Sequence, residues 1–189
     1  MTIRTSDKIA EGLEAAFAAE GFAAPGVDAL RDAAGVSLRT LYRHYPSREA
    51  MVVGALDHRH RSYLAWLQRG MPEGPGAGPV LHVFRRLRPW MAERAPNGCL
   101  FVNALAEHPD SNAIREAVKR QKAETRALFA DCLRRAWPDI GDEDCRRLGD
   151  ALFVVHEGQT AATVTCGCAE AGVAALTLAE SLLRAENIE

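Results

Sequence analysis

Apolar residues recur through most of the chain at intervals of three and four positions, which is the period of an α-helix. The first such stripe contains Ile9, Leu13, Ala16 and Phe17. Thr5 or Ser6 is placed to cap this first helix, and Gly21 is placed to end it. No segment alternates as a strand would. The pattern therefore predicts an all-α protein.

Further helices are predicted where the same period returns between breaks in the pattern. Their approximate ranges are 27–34, 38–45, 48–68, 80–94, 99–107, 111–137, 142–166 and 169–185. Pro89 predicts a kink or a break in one of them. Residues 70–79 are rich in glycine and proline and are expected to form a loop.

Two of the short helices lie unusually close together. Gly35 ends one, and Ser37 can cap the next two residues later, while Pro46 stops that helix and Ser47 can cap the one after it. Two short helices around a tight glycine turn form a helix-turn-helix. The side chains expected to pack it inward against the first helix are Leu30, Ala34, Val36, Leu41 and Tyr45.

The segment around the second helix of this turn is basic, although the chain as a whole is not. The chain carries a formal net charge of −2, so nucleic-acid binding would need a local basic patch. No acidic residue stands between Asp32 and Glu49. With Leu41 inward, the outward positions of the second helix are Leu38, Arg39, Thr40, Tyr42, Arg43 and His44. Such a helix fits the major groove of DNA, and its residues reach base edges and phosphates.

The N-terminal quarter resembles the DNA-binding domain of the tetracycline-repressor (TetR) family. The segments that carry the resemblance are "AAFAAEGF" and "VDALRDAAGVSLRTLYRHYPSREAM". It implies that Leu38, Arg39 and Arg43 face bases, and that Thr40, Tyr42, His44 and Arg48 contact phosphates. Gly26 stands where the family favours a capping Thr or Ser, and Arg31 where it favours a small residue. Arg31 is expected either to disturb local packing or to add a cation that reaches the DNA backbone.

For the rest of the chain, the resemblance implies a helical domain that binds an effector and forms a homodimer through its last two helices. We expect a DNA-binding domain at 1–47 and an effector-binding and dimerisation domain at 48–189. Two recognition helices about 34–36 Å apart would read a palindromic operator. Cys99, Asn103 and Glu107 are spaced by four and share one helical stripe. The full set of candidate ligand-binding residues is Trp66, Phe84, Trp90, Cys99, Asn103, Glu107, Phe129 and His156.

The resemblance thus implies a ligand-responsive regulator of transcription, a repressor that a small molecule releases from DNA. No zinc-binding spacing, phosphate loop or catalytic elbow is present, so neither an enzyme nor a cofactor is expected. The absence of an apolar leader or membrane span predicts a cytoplasmic protein. Two hypotheses remain open: a thiol sensor using Cys99 or the Cys166/Cys168 pair, and a helical enzyme or binding protein that does not bind DNA.

Overall fold

The computed structural model describes residues 4–185, and over that range it contains helices and no strand. The helices are α1 Thr5–Glu20, α2 Val27–Ala34, α3 Leu38–His44, α4 Arg48–Gln68, α5 Gly78–Arg94, α6 Leu100–Glu107, α7 Asn112–Ala136, α8 Asp142–Cys166 and α9 Cys168–Ala185. The all-α prediction is confirmed. The spacing of apolar residues predicted these helices because each helix buries one apolar face.

Two local predictions differ from the structure. The residue at the N-cap position of α1 is Arg4, and no side chain caps this helix, so Thr5 and Ser6 are not its cap. Pro89 lies inside α5, which runs on to Arg94, so the expected break is not found and the alternative, a kink, stays a prediction. A proline removes one hydrogen bond from a helix. The buried side chains on either side of it, among them Leu87 and Trp90, keep α5 helical.

The chain forms two compact units. The first unit comprises the chain up to Ser62 together with Cys99–Gln121. Its core is built from side chains of α1 to α4, α6 and the start of α7, and Phe17 and Phe22 stack in it with ring centroids 5.0 Å apart. The second unit comprises Tyr63–Gly98 and the chain from Lys122 onward. In it, α9 packs against both α5 and α8.

The two units do not follow the boundary expected after residue 47. Most of α4 and the whole of α6 pack with the first three helices, because their apolar side chains share that core. The predicted division of roles between residues 1–47 and 48–189 remains a prediction.

Candidate DNA-binding surface and C-terminal site

The turn between α2 and α3 is held by two capping interactions. Gly35 ends α2 with φ at +64°, a conformation that favours glycine, and its N–H donates to the Asp32 carbonyl at 3.0 Å. The Ser37 hydroxyl oxygen accepts a hydrogen bond from the Thr40 N–H at 3.2 Å and caps α3. Gly26 holds the N-cap position of α2. The predicted helix-turn-helix and its Ser37 cap are confirmed.

One face of α3 is fixed to the core of the first unit. Leu41 is fully buried in the same cluster as Leu13. The Tyr45 hydroxyl, just past the end of α3, donates a hydrogen bond to the Ser6 carbonyl at 3.1 Å. The Tyr45 ring lies so close to α4 that a Cβ added to Gly54 would sit 2.2 Å from its Cε1. These contacts leave α3 little freedom to roll about its own axis.

The opposite face of α3 is open to solvent. Leu38 is 39% exposed and Tyr42 is 42% exposed, although both are large apolar-bodied side chains. Arg39 and Arg43 are exposed as well, and neither has an ion-pair partner within residues 4–185. Large apolar and unpaired cationic side chains on one rigid helix are what a surface that reads base edges requires.

Two further predicted DNA contacts lie at the edge of this face. Thr40 and His44 are half-buried. The Thr40 hydroxyl accepts a hydrogen bond from the Ser37 hydroxyl at 3.0 Å, so it takes part in the cap of α3. His44 lies in the last turn of α3.

The Arg48 side chain makes contacts within the protein. Its guanidinium donates to the carbonyl oxygens of Pro25, at 2.9 Å, and of Phe22. It also lies over the Phe17 ring, 5.8 Å from the centroid. These carbonyls follow α1, where the chain turns toward α2 and exposes acceptors that no helical N–H reaches. Arg48 therefore holds the turn between α1 and α2, and its predicted contact with a phosphate stays a prediction.

Arg31 is also committed within the protein. Its guanidinium pairs with the Asp28 carboxylate at 2.8 Å and with the Asp32 carboxylate at 2.7 Å. The hydrogen bond and the charge of Asp32 raise the pKa of Arg31 above its ordinary value. Two carboxylates of α2 thus neutralise this cation within the protein.

In the second unit, five predicted ligand-binding residues lie in one aromatic cluster. Phe84 and Phe129 have ring centroids 5.5 Å apart, and Phe129 meets His156 edge-on at 5.8 Å. Trp66 and Trp90 are 5.9 Å apart. The Trp66 indole N–H donates to the Arg86 carbonyl at 2.9 Å, which fixes the ring at the edge of the cluster.

His156 is the polar centre of that cluster. Burial lowers its pKa, so the ring is neutral near pH 7. Its Nδ1 lies 3.2 Å from a Glu157 carboxylate oxygen, and its Nε2 is paired with the Tyr63 hydroxyl. A carboxylate only accepts. The neutral ring therefore donates from Nδ1 to Glu157 and accepts at Nε2 from Tyr63.

Glu157 continues the network to a cation. Its second carboxylate oxygen lies 2.5 Å from the Lys122 ammonium. Partial burial by itself would raise the pKa of Glu157, but the hydrogen bond from His156 and the charge of Lys122 outweigh it and lower the pKa to about 2. No sequence pattern singled out Tyr63, Glu157 or Lys122, because the contacts of Tyr63 with His156 and of Lys122 with Glu157 join different helices.

The stripe formed by Cys99, Asn103 and Glu107 belongs to the first unit. A Glu107 carboxylate oxygen accepts a hydrogen bond from the Phe22 N–H at 3.4 Å. Glu107 is exposed, while Cys99 and Asn103 are half-buried. The structure thus groups these three with α1 and α2, and the other five candidates with one another.

The last two helices expose apolar side chains on their outer faces. Val154 and Val164 of α8 are 65% and 58% exposed, and Val173 and Leu178 of α9 are 62% and 56% exposed. Beside them stand small residues such as Ala161. Exposed apolar side chains on two helices that pack against each other are typical of an interface.

The cysteines differ in accessibility. Cys132 and Cys145 are buried, and burial raises the pKa of the Cys132 thiol to about 11. Cys166 is exposed, and Cys99 and Cys168 are half-buried. Within residues 4–185 no group of three or more His, Cys, Asp or Glu side chains could hold a metal ion. None of the helices described is long and apolar enough to cross a bilayer.

Comparison with known proteins agrees with this geometry. Residues 9–55 match the family of bacterial regulatory proteins known as the tetR family. A TetR-family transcriptional regulator from Streptomyces coelicolor has a similar structure, with a TM-score of 0.79, 26% identity, and coverage of 95% of this chain and 94% of that one. The reduced form of Escherichia coli NemR has a TM-score of 0.75 at 21% identity, covering 95% of this chain and 97% of that chain.

A TetR transcriptional regulator from Legionella pneumophila has a TM-score of 0.76 at 14% identity, covering 96% of this chain and 98% of that chain. No curated protein sequence matched the chain. The matched residues 9–55 include the whole turn that presents α3. Regulators of this family are DNA-binding proteins and not enzymes. Residues 9–55 thus match the tetR family of regulatory proteins, and the fold over 95% of the chain is similar to that of a TetR-family transcriptional regulator.

Proposed function

We propose that this protein is a ligand-responsive repressor that binds a palindromic operator as a homodimer and leaves it when a small molecule binds. The observation that supports DNA reading most directly is the outer face of α3. Arg39 and Arg43 are exposed there without an ion-pair partner in the described part of the chain, on a helix whose inner face is locked by Leu41.

The outward-facing side chains of α3 fall into two groups, those suited to contact bases and those suited to contact phosphates. Arg39 and Arg43 are four residues apart and lie on one face, so each can form a bidentate pair with guanine. Leu38 offers an apolar contact to a thymine methyl group. The half-buried groups at the edge, Thr40 and His44, and the Tyr42 hydroxyl serve as phosphate contacts. Arg48 is omitted from this set because two backbone carbonyls hold it.

Homodimerisation through α8 and α9 is supported by their outer faces. Val154, Val164, Val173 and Leu178 present apolar surface that residues 4–185 do not cover. Four such helices from two copies would bury these side chains in one bundle. Two recognition helices about 34–36 Å apart would then enter successive major grooves, which explains the expectation of a palindrome.

The effector site is assigned to the aromatic cluster of the second unit. Trp66, Phe84, Trp90, Phe129 and His156 combine apolar rings with one polar centre, the composition typical of small-molecule sites. Cys99, Asn103 and Glu107 of the first unit form a second candidate stripe. The effector must bind the released state more tightly than the DNA-bound state, because a ligand with equal affinity for both shifts nothing.

Fluorescence anisotropy with double-stranded fragments from the region upstream of the protein's own gene tests DNA binding. Arg43→Ala should weaken specific binding by about 1–3 kcal/mol, because one base pair loses its bidentate partner. The matched control is Arg31→Ala, which removes an arginine already neutralised by Asp28 and Asp32 and should change affinity little. Affinity should fall steeply with added salt, since each subunit neutralises several phosphates.

Two results of this binding experiment would contradict the proposed function. If the wild-type protein ignores every fragment at low salt, the assignment as a DNA-binding repressor is wrong. If Arg31→Ala and Arg43→Ala weaken binding equally, α3 does not read bases through Arg43. The proposed site of action is the cytoplasm, where the operator DNA lies.

A further inference from the structure

A groove of about 360 Å³ lies between α5 and α9 in the second unit. Its lining residues are Phe84, Arg85, Arg88, Pro89, Gly172, Val173 and Leu176. Small-molecule sites commonly have volumes of about 300–1,000 Å³, so this groove can hold a compact ligand. It lies outside the DNA-binding surface, and the cluster around His156 does not explain its two arginines.

The groove owes its shape to one glycine. Gly172 is buried in α9, and a Cβ added to it would lie 3.1 Å from Arg88 Cδ and 3.3 Å from Arg88 Cγ. The aliphatic part of Arg88 therefore lies across Gly172 while the residue as a whole stays exposed. Packing of the stem against the helix leaves the guanidinium as the end of the side chain that reaches solvent.

The charges along this groove are not balanced. Arg85 and Arg88 are both exposed, and neither has an ion-pair or hydrogen-bond partner among residues 4–185. Arg147 of the same unit is paired with Asp144 at 2.9 Å, whereas Arg135 and Arg146 are exposed and have no ion-pair partner within residues 4–185. Two unpaired guanidinium groups beside one groove favour an anion, and a guanidinium binds a carboxylate with two parallel hydrogen bonds.

The floor of the groove is apolar. Phe84 is 1% exposed and contributes its ring, while Leu176 and Val173 contribute aliphatic surface from α9. Val173 is 62% exposed, so part of this surface faces solvent in a single chain. The site thus offers two cationic donors at its edge and hydrocarbon within, which fits a ligand with one charged end and an apolar body.

We propose that this groove binds a small organic monocarboxylate, with Arg85 and Arg88 holding the carboxylate and Phe84 and Leu176 covering the apolar body. The Phe84 ring also lies tilted against Phe129, with centroids 5.5 Å apart, so an occupant would contact a ring of the aromatic cluster. This proposal does not depend on DNA binding or on the assigned effector site, and it can be tested on the full chain alone.

Isothermal titration calorimetry of the full chain with decanoate tests the proposal, with 1-decanol as the uncharged probe of equal chain length. Decanoate should bind more tightly than decanol. The double variant Arg85→Gln/Arg88→Gln should weaken decanoate binding by about tenfold or more, because charge-assisted hydrogen bonds are lost. The matched control is Arg135→Gln/Arg146→Gln, which removes two exposed arginines of the same unit and should leave affinity unchanged.

Three results would overturn the proposal. The first is equal affinity for decanoate and decanol, which would show that the arginines select nothing. The second is an equal loss in the two double variants, which would reflect net charge alone. The third is a change in the monomer–dimer equilibrium of Arg85→Gln/Arg88→Gln, measured by sedimentation, with decanoate binding intact. The arginines would then meet acidic groups of a second copy of the chain.

Discussion

Arg48 donates a hydrogen bond from its guanidinium to the Pro25 carbonyl oxygen at 2.9 Å, which ties the start of α4 to the turn between α1 and α2. A second bond from the same guanidinium reaches the Phe22 carbonyl. A residue that the family resemblance assigns to a phosphate is thus a structural clamp in this chain.

Arg48→Lys should therefore destabilise the protein, although it keeps the charge. Lysine has no planar fork and cannot reproduce both bonds and the contact over Phe17. We expect a loss of about 1–3 kcal/mol in the free energy of unfolding, measured by urea denaturation. The salt dependence of DNA binding should stay the same. Unchanged stability with a reduced salt slope would instead restore Arg48 to the phosphate contacts.

Gly12 permits the close contact between α1 and α2. A Cβ added there would lie 2.2 Å from the Ala33 carbonyl oxygen and 2.7 Å from Ala34 Cα, and neither backbone atom can move away cheaply. Gly12→Ala should cost about 1–3 kcal/mol by urea denaturation. Gly26→Ala is the matched control, since its Cβ would meet nothing within 4 Å, and it should cost only about 0.5 kcal/mol as a weaker cap. Equal losses would show that α1 and α2 can adjust.

The pair of Lys122 and Glu157 should be coupled energetically. Both side chains are largely buried, at 23% and 29% exposure. A double-mutant cycle with Lys122→Met and Glu157→Gln should give a coupling free energy of about 1–2 kcal/mol, because each single variant leaves a charge without its partner.

Lys119 and Glu116 provide the comparison for that cycle. Their charged atoms are 2.7 Å apart, close to the 2.5 Å of Lys122 and Glu157, but their side-chain exposures are 64% and 61%. Their coupling should be only about 0.3–0.5 kcal/mol, as for exposed helical pairs. A coupling between Lys122 and Glu157 that is no larger than this would contradict the assigned network.

Stability should fall as the pH is lowered from 7.5 to 5.5. Burial lowers the pKa of His156 in the folded protein, so below pH about 6.5 the unfolded chain binds a proton that the folded protein does not. One such group contributes at most about 1.4 kcal/mol per pH unit. Glu157, with a folded pKa of about 2, adds its own loss only at lower pH, because its stabilising effect disappears below the unfolded pKa.

His156→Gln should reduce this pH dependence. Urea denaturation of both proteins across the pH range gives the two slopes. Some slope should remain in the variant, because burial also lowers the pKa of His82. Identical slopes in the two proteins would show that His156 takes up its proton without cost in the folded state.

Local chemistry let the sequence predict the helix-turn-helix closely. Gly35 and Ser37 stand two residues apart, and each acts on its own stretch of chain: Gly35 adopts a positive φ, and the Ser37 hydroxyl caps α3. The roles of Arg31 and Arg48 were not predicted from the sequence. Their roles depend on which acceptors lie within reach, and those acceptors are set by the packing of α1, α2 and α4.

The sequence by itself determined the helices, their limits within a few residues, and the exposed basic face of α3, because helical period, capping and charge pattern are local properties. Only the tertiary structure decided which polar groups became partners. It placed Tyr63 and Lys122 on the two sides of the pair formed by His156 and Glu157, and it laid Arg88 across Gly172. Such contacts join residues far apart in the chain, and the spacing of residues along the sequence does not predict which of them come into contact.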